Sequence, residues 1–462
     1  MTCECACDLL VAGAGPAGYE AAATAARCGM NVVLAERDKL GGTCLNWGCI
    51  PTKLFLGATA AIDELEAQER LKLAEGRVRI NLPGLQTRKE RLLEGSRKAI
   101  ASMQEKAGVA VIKGEIIRIE GKTAVLRAES GETRVSFKKC ILATGSRPAG
   151  YPGLSRDGQA VLDSNDIMTL SEAPESLMVV GAGAIGLELA QFFQRLGTRI
   201  TLLEGAPRIA PAEDPDVSKV MRQALKRKGF IIREGVKVAQ LVTVDGKAKL
   251  TLDTGEDILA DKALVAVGRF PNSAIDGLEE SGVSFLGKTT SSRWIGVDDK
   301  LRASDDIYAV GDVNGLTLLA HAASHQAVYA ARHAAGLVDA PYVSGPIPGC
   351  IYGAPETVRV GQMAATLKNM GHAPAISEAQ LVANPIAQAY AATAGFIRVV
   401  WLDGQVAGIT AIGRGVAEMA TLFTVIVSQG WTRNQAKDVI FPHPTLDEAL
   451  QAALLAPQKS VE

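Results

Sequence analysis

One pattern occurs twice in this chain and limits what it can fold into more than any other feature. Residues 9–22 read LLVAGAGPAGYEAA and residues 177–190 read LMVVGAGAIGLELA. Each places an apolar strand before G-x-G-x-x-G and an apolar helical pattern after it. The first glycine of each set (Gly13, Gly181) permits a tight turn. The second (Gly15, Gly183) lets a pyrophosphate approach the backbone, and the third (Gly18, Gly186) lets helix and strand pack closely. The helix N-terminus then presents unsatisfied N–H groups to the phosphates. Each unit continues into a second strand that ends in an acid, NVVLAE at Glu36 and RITLLE at Glu204, both 23 residues after the first glycine. A carboxylate there accepts hydrogen bonds from ribose hydroxyls and repels a 2′-phosphate, so Glu204 predicts NAD over NADP. The fold class expected is α/β, with two Rossmann-like dinucleotide-binding domains. Two such sites in one chain predict FAD plus NAD, and hence hydride transfer.

The chain has 462 residues, enough for two to four domains with their own cores. A formal charge of −1 argues against nucleic acid or an anionic membrane as partner. No apolar run approaches the roughly 18 residues of a spanning helix. The N-terminus, MTCECACDLL, has no basic segment followed by an apolar one. A cytoplasmic location is therefore expected. Eight cysteines are too few in this length for a disulfide scaffold. Cys3, Cys5 and Cys7 form a C-x-C-x-C run that could hold a soft metal, but on an end expected to fray it reads as incidental.

Two other cysteines stand in GGTCLNWGCIPTK, residues 41–53. The stretch LFLGATAAIDELEAQ that follows predicts a helix, with Cys44 and Cys49 in its opening turns. An ideal helix separates Cα atoms at i and i+5 by roughly 8–9 Å. A disulfide wants roughly 4.4–6.8 Å. A bond between them therefore requires distortion, which Gly48 and Pro51 permit. A metal site needs further ligands, and none is nearby in sequence. A redox pair is favoured over two inert thiols or a metal site.

The ordered set GGTCLNWGCIPTK, ATGSRP (143–148), GAGAIGLELA (181–190), VGRFPN (267–272), YAVGD (308–312) and HPTLDE (443–448) resembles the pyridine nucleotide–disulfide oxidoreductases, and within them the lipoamide-oxidising members. The resemblance covers essentially the whole chain. It implies an FAD domain over 1–147 and 272–345, an NAD domain over 148–271 and a C-terminal α+β dimerisation domain over 346–462. It implies that Cys44 is the interchange thiol, that Cys49 is the flavin-side thiol, and that the two pair. Lys53 would lie near the flavin and pair with Glu188. Asp312 would bind the ribityl chain, and Gly114, Thr144, Gly145 and Ala320 would line the FAD site. Ile185 would lie where nicotinamide stacks, and Gly268 and Val238 would contact NAD.

The same resemblance makes His443, supported by Glu448, the base that deprotonates the dithiol, a role suited to an imidazole held by a carboxylate. The pair would act on the disulfide of the partner subunit, which implies a homodimer with shared sites. The remaining histidines receive no catalytic role. The implied reaction is oxidation of protein-bound dihydrolipoamide through Cys44–Cys49 and FAD to NAD, with a lipoyl protein of a 2-oxo acid dehydrogenase or glycine cleavage complex as a separate partner chain. A glutathione-type reductase would want basic residues after the second strand, and only Arg208 follows Glu204 in EGAPRIAPAED. A flavin-binding subunit without dithiol turnover would not need Cys44, Cys49, His443 and Glu448. Three departures from the lipoamide pattern stand out. Phe441 replaces a second histidine, YGAPE at 352–356 replaces YTxPE, and LAHAASHQA at 319–327 replaces a more acidic run.

Overall fold

The structure, a computed structural model, describes residues 3–461 except 130, 152, 155 and 288–292. It is a mixed α/β chain that divides into two compact units. One comprises 1–52, 86–149 and 268–343, the other 53–85, 150–267 and 344–462.

The first unit is built on the first glycine pattern. Strand β1 (Cys3–Ala12) leads into helix α1 (Pro16–Arg27), which returns to strand β2 (Val32–Glu36). β1 pairs in parallel with β2 on one side and with Gly131–Leu142 on the other. Ala110–Lys113 extends the sheet beyond β2. Beyond Gly131–Leu142 the sheet forks. Thr123–Ala128 and then Glu115–Glu120 continue it antiparallel, while Ile307–Ala309 adds in parallel beside Cys140–Leu142. On one face, Ala21, Ala22 and Ala25 of α1 share a core with Ala327, Ala330 and Ala331 of helix Ala320–Ala334. Their small side chains let both helices lie close to Leu9, Val11 and Tyr308. The opposite face buries Leu10, Ala12, Leu126 and Cys140.

The N-terminal cysteines do not lie on a frayed end. Cys3 to Cys7 are paired residue by residue with Thr133 to Phe137, so the ladder hydrogen bonds order this run. Cys7 is buried, and loss of solvent pushes its thiol pKa up to about 12. The side chain of Cys3 lies outside the described residues.

The second unit repeats the arrangement and adds another sheet. Strand β3 (Ser176–Val180), helix α2 (Ala184–Arg195) and strand β4 (Arg199–Glu204) correspond to β1, α1 and β2. The parallel sheet runs Ile231–Glu234, β4, β3, Lys262–Val265 and Val161–Leu162. A three-stranded antiparallel sheet over Val238–Ala260 shares a core with β3 through Leu241, Leu250 and Met178. A six-stranded antiparallel sheet is formed over residues 349–460, and its core holds Val399, Trp401, Phe423 and Leu450. Among the described residues no helix is long and apolar enough to cross a membrane.

Candidate active site and nucleotide cradles

The two glycine turns have the same geometry. Gly13 has φ +98° and Gly181 φ +102°. A Cβ on either would lie 2.5 or 2.4 Å from a backbone oxygen of the next strand, that of Ala143 or Ala266. A Cβ on Gly18 would meet Gly13 O at 1.7 Å, and one on Gly186 would meet Gly181 O at 2.0 Å. The middle glycines differ. A Cβ on Gly15 would meet only Gly42 Cα at 3.8 Å, and Gly183 has nothing within 4 Å. Those two positions are open, and each N-caps its helix without a side-chain cap. Open backbone and uncapped N–H groups fit a pyrophosphate at both turns.

The two acids are also held alike. Glu36 Oε2 accepts from Ala14 N (2.6 Å) and Oε1 from Asp38 N (2.8 Å). Glu204 Oε2 accepts from Ala182 N (2.7 Å) and Oε1 from Ala206 N (2.8 Å). Each carboxylate is thereby fixed at the end of its strand, where a ribose would be received. Burial raises the pKa of Glu36, with the two backbone N–H bonds opposing it.

In the first unit, Gly114 N donates to Glu36 O (2.9 Å). Thr144 Oγ1 donates to Asn272 O (2.7 Å), and Gly145 has φ +66°. Asp312 lies in the turn Gly311–Asn314, and Ala320 opens helix Ala320–Ala334. Two residues that the sequence reading did not single out surround Asp312. Ser146 Oγ donates to Asp312 Oδ2 (2.5 Å), and Arg269 Nε donates to Ser146 Oγ (2.7 Å). Both stand inside motifs already recognised, ATGSRP and VGRFPN, and that was the available signal.

The cysteine segment departs from the single helix expected. Cys44 lies in a short helix, α3 (Gly42–Asn46), and Cys49 begins a new one, α4 (Cys49–Arg70). The break falls at Trp47, with φ −135°, and Gly48. Distortion between the thiols is thus built into the backbone. Gly42, at φ +56°, packs on the first glycine turn, because a Cβ there would lie 2.6 Å from Gly15 Cα. Asn46 clamps the segment from beneath. It is 3% exposed, its Nδ2 donates to Leu40 O and Gly42 O, and its Oδ1 accepts from Arg97 Nη1 (2.9 Å). Cys44 is half-buried and Cys49 is exposed.

In the second unit, Glu188 is buried on α2, one turn after Ile185. Its Oε2 lies 2.7 Å from Lys53 Nζ, and its Oε1 accepts from Tyr352 N (3.0 Å). Val238 opens the strand Val238–Val244. Gly268, with φ +124°, falls in the first unit, whereas Gly181, Gly183, Ile185, Gly186, Glu204 and Val238 fall in the second. The YGAPE segment holds a glycine with positive φ. Gly353 has φ +127°, and a Cβ there would lie 2.5 Å from Gln191 Nε2.

His443 Nδ1 and Glu448 Oε1 are 2.9 Å apart, and Glu448 Oε2 accepts from Thr445 N (2.9 Å). The hydrogen bond to His443 lowers the Glu448 pKa. With Nδ1 engaged, Nε2 is the nitrogen left to take a proton. The His443 side chain is 71% exposed.

A chain with two open glycine turns at uncapped helix N-termini, a segment carrying two cysteines and a carboxylate-supported histidine has the parts of a nucleotide-linked disulfide oxidoreductase. Residues 7–327 match the model of the pyridine nucleotide-disulphide oxidoreductases, and 347–454 match that family's dimerisation domain. The chain belongs to this family. It is 35% identical to a dihydrolipoyl dehydrogenase of Chlorobaculum tepidum, with 96% of each chain covered. It is 34% identical to one of Bacillus subtilis, over 97% of this chain and 98% of the relative. Among solved structures, LpdA from Mycobacterium tuberculosis superposes with a TM-score of 0.88 at 25% identity, over 98% of this chain and 99% of that one.

Proposed function

We propose that the chain is a dihydrolipoyl dehydrogenase. It oxidises protein-bound dihydrolipoamide to lipoamide and passes the electrons through FAD to NAD. The observation that carries this reading is the joint presence of the Cys44–Cys49 segment against the first glycine turn and the His443–Glu448 pair. A dithiol oxidation needs both.

In this reading 1–147 with 272–345 hold FAD, 148–271 hold NAD, and 346–462 form the interface of a homodimer. One substrate sulfur attacks Cys44 Sγ of the oxidised pair and displaces the Cys49 sulfur as a thiolate, while His443 Nε2 of the other subunit takes the attacking sulfur's proton. Glu448 holds the imidazole tautomer and stabilises the imidazolium. The second substrate sulfur then attacks the first, which closes the lipoamide disulfide, breaks the bond to Cys44 and releases the Cys44 sulfur, leaving both cysteines reduced. Bound FAD and NAD supply the electron path that reoxidises the pair. Gly13, Gly15, Gly18, Glu36, Gly114, Thr144, Gly145, Asp312 and Ala320 receive FAD. Gly181, Gly183, Ile185, Gly186, Glu204, Val238 and Gly268 receive NAD.

Glu204, fixed by two backbone N–H groups, supports NAD over NADP, since a 2′-phosphate would face a carboxylate. The partner is a lipoyl-carrying protein of a 2-oxo acid dehydrogenase or glycine cleavage complex, and the location is cytoplasmic. The test is the half-reaction with a carrier. Lipoyl protein reduced beforehand should yield NADH with wild-type enzyme and none with Cys44→Ser. NADH formation undiminished in Cys44→Ser would overturn the assignment.

A further inference from the structure

We infer that Tyr352 is a positioning residue for Lys53, and that its ring face holds the ammonium where it acts on the flavin. The inference rests on the reading above that Lys53 lies beside FAD. Lysine carries its charge on a flexible four-carbon stem, so a single ion pair leaves the head free to swing. Here the head has two anchors. Glu188 Oε2 is 2.7 Å from Nζ on one side, and the Tyr352 ring centroid is 4.3 Å from Nζ on another. An ammonium over an aromatic face is attracted by the ring quadrupole.

Tyr352 is itself fixed at both ends. Its backbone N–H donates to Glu188 Oε1 (3.0 Å), so the carboxylate that binds Lys53 also sets the backbone carrying the ring. Two residues on, Ala354 N donates to Gln191 Oε1 (2.8 Å), three residues further along the same helix. The loop is therefore pinned to one face of α2. A side-chain hydrogen bond joins Tyr352 to Cys350. Burial, the largest influence on Cys350, raises its pKa, so the thiol stays neutral and puts no competing anion beside the ammonium.

The consequence is electronic. A cation held in place favours the reduced, more negative flavin, whereas a mobile one is partly lost to solvent. The test uses the full-length FAD-loaded homodimer and reads the flavin's reduced-to-oxidised ratio at a fixed reference potential, together with long-wavelength absorbance on partial reduction. Tyr352→Leu should lower the ratio by about fivefold, the scale of one partly exposed cation–π contact, and shift the band. Tyr352→Phe keeps the ring and should stay within about twofold of wild type. Tyr352→Met fills similar space without a π face, so it carries the same expectation as leucine if that variant fails to retain FAD. The inference is overturned if leucine and methionine both match wild type, or if phenylalanine departs as far as they do. Lys53→Met separates the two levels. If it leaves the ratio unchanged, Lys53 is not beside the flavin, and this inference falls with that placement. If it moves the ratio and Tyr352→Leu does not, only the role of Tyr352 is lost.

Discussion

At the scale of single residues, the chemistry depends on short, well-anchored contacts. His443 and Glu448 are five positions apart, and Thr445 N ties the carboxylate down between them. His443→Gln should reduce turnover with dihydrolipoamide by about 100-fold or more, the usual worth of a general base, while FAD content stays unchanged. The same pair sets a pH dependence. Glu448 has its pKa lowered from 4.5 in the folded chain, so its contribution to stability is present above that value and is lost as pH falls through the folded value. The difference in unfolding temperature between wild type and Glu448→Gln should therefore be seen near neutrality and vanish in acid. A difference that grew with acidity would contradict the pairing. Asn46 acts through structure alone. Asn46→Ala would leave Arg97 with Glu94 but without its buried amide partner, and would remove the side-chain donor from two carbonyls, costing about 1–3 kcal/mol in thermal unfolding. Such contacts differ in how well a sequence reveals them. HPTLDE shows its pair because histidine and acid are neighbours in the chain. Asn46 and Arg97 are 51 positions apart, and Lys53 and Glu188 are 135 apart. No local spacing announces either.

At the scale of elements, the two strand–turn–helix units were legible, because turn chemistry is local and only glycine fits the positions where a Cβ would meet a carbonyl. Gly18→Ala places a methyl 1.7 Å from Gly13 O, so α1 must shift away from its strand. The variant should lose FAD on gel filtration, whereas the counterpart change Gly186→Ala, with a methyl 2.0 Å from Gly181 O, should weaken NAD binding and leave FAD in place. The break between α3 and α4 was not legible as a boundary. Gly48 and Pro51 permit distortion, but where the helix stops depends on Asn46 and the glycine turn beneath it. The N-terminal cysteines were misread for a related reason. Pairing with a strand 130 residues away orders a terminus that looks loose by itself.

At the scale of the whole molecule, long-range pairing decides what belongs together. Ile307–Ala309 lies beside Cys140–Leu142, so residues 268–343 join the N-terminal unit although the second nucleotide unit separates them in sequence. Periodicity cannot reveal such a return. Cofactor choice also belongs here. Glu204→Ala should raise kcat/KM for NADP relative to NAD by about tenfold, because a carboxylate opposite the 2′-phosphate is removed. The most direct test of the whole account is one anaerobic measurement: purified enzyme mixed with dihydrolipoamide and NAD, with NADH followed in wild type and in Cys44→Ser. Prompt NADH formation is expected from the wild type, and none from the substituted enzyme. No NADH from the wild type with FAD bound, or an equal rate from Cys44→Ser, would contradict it.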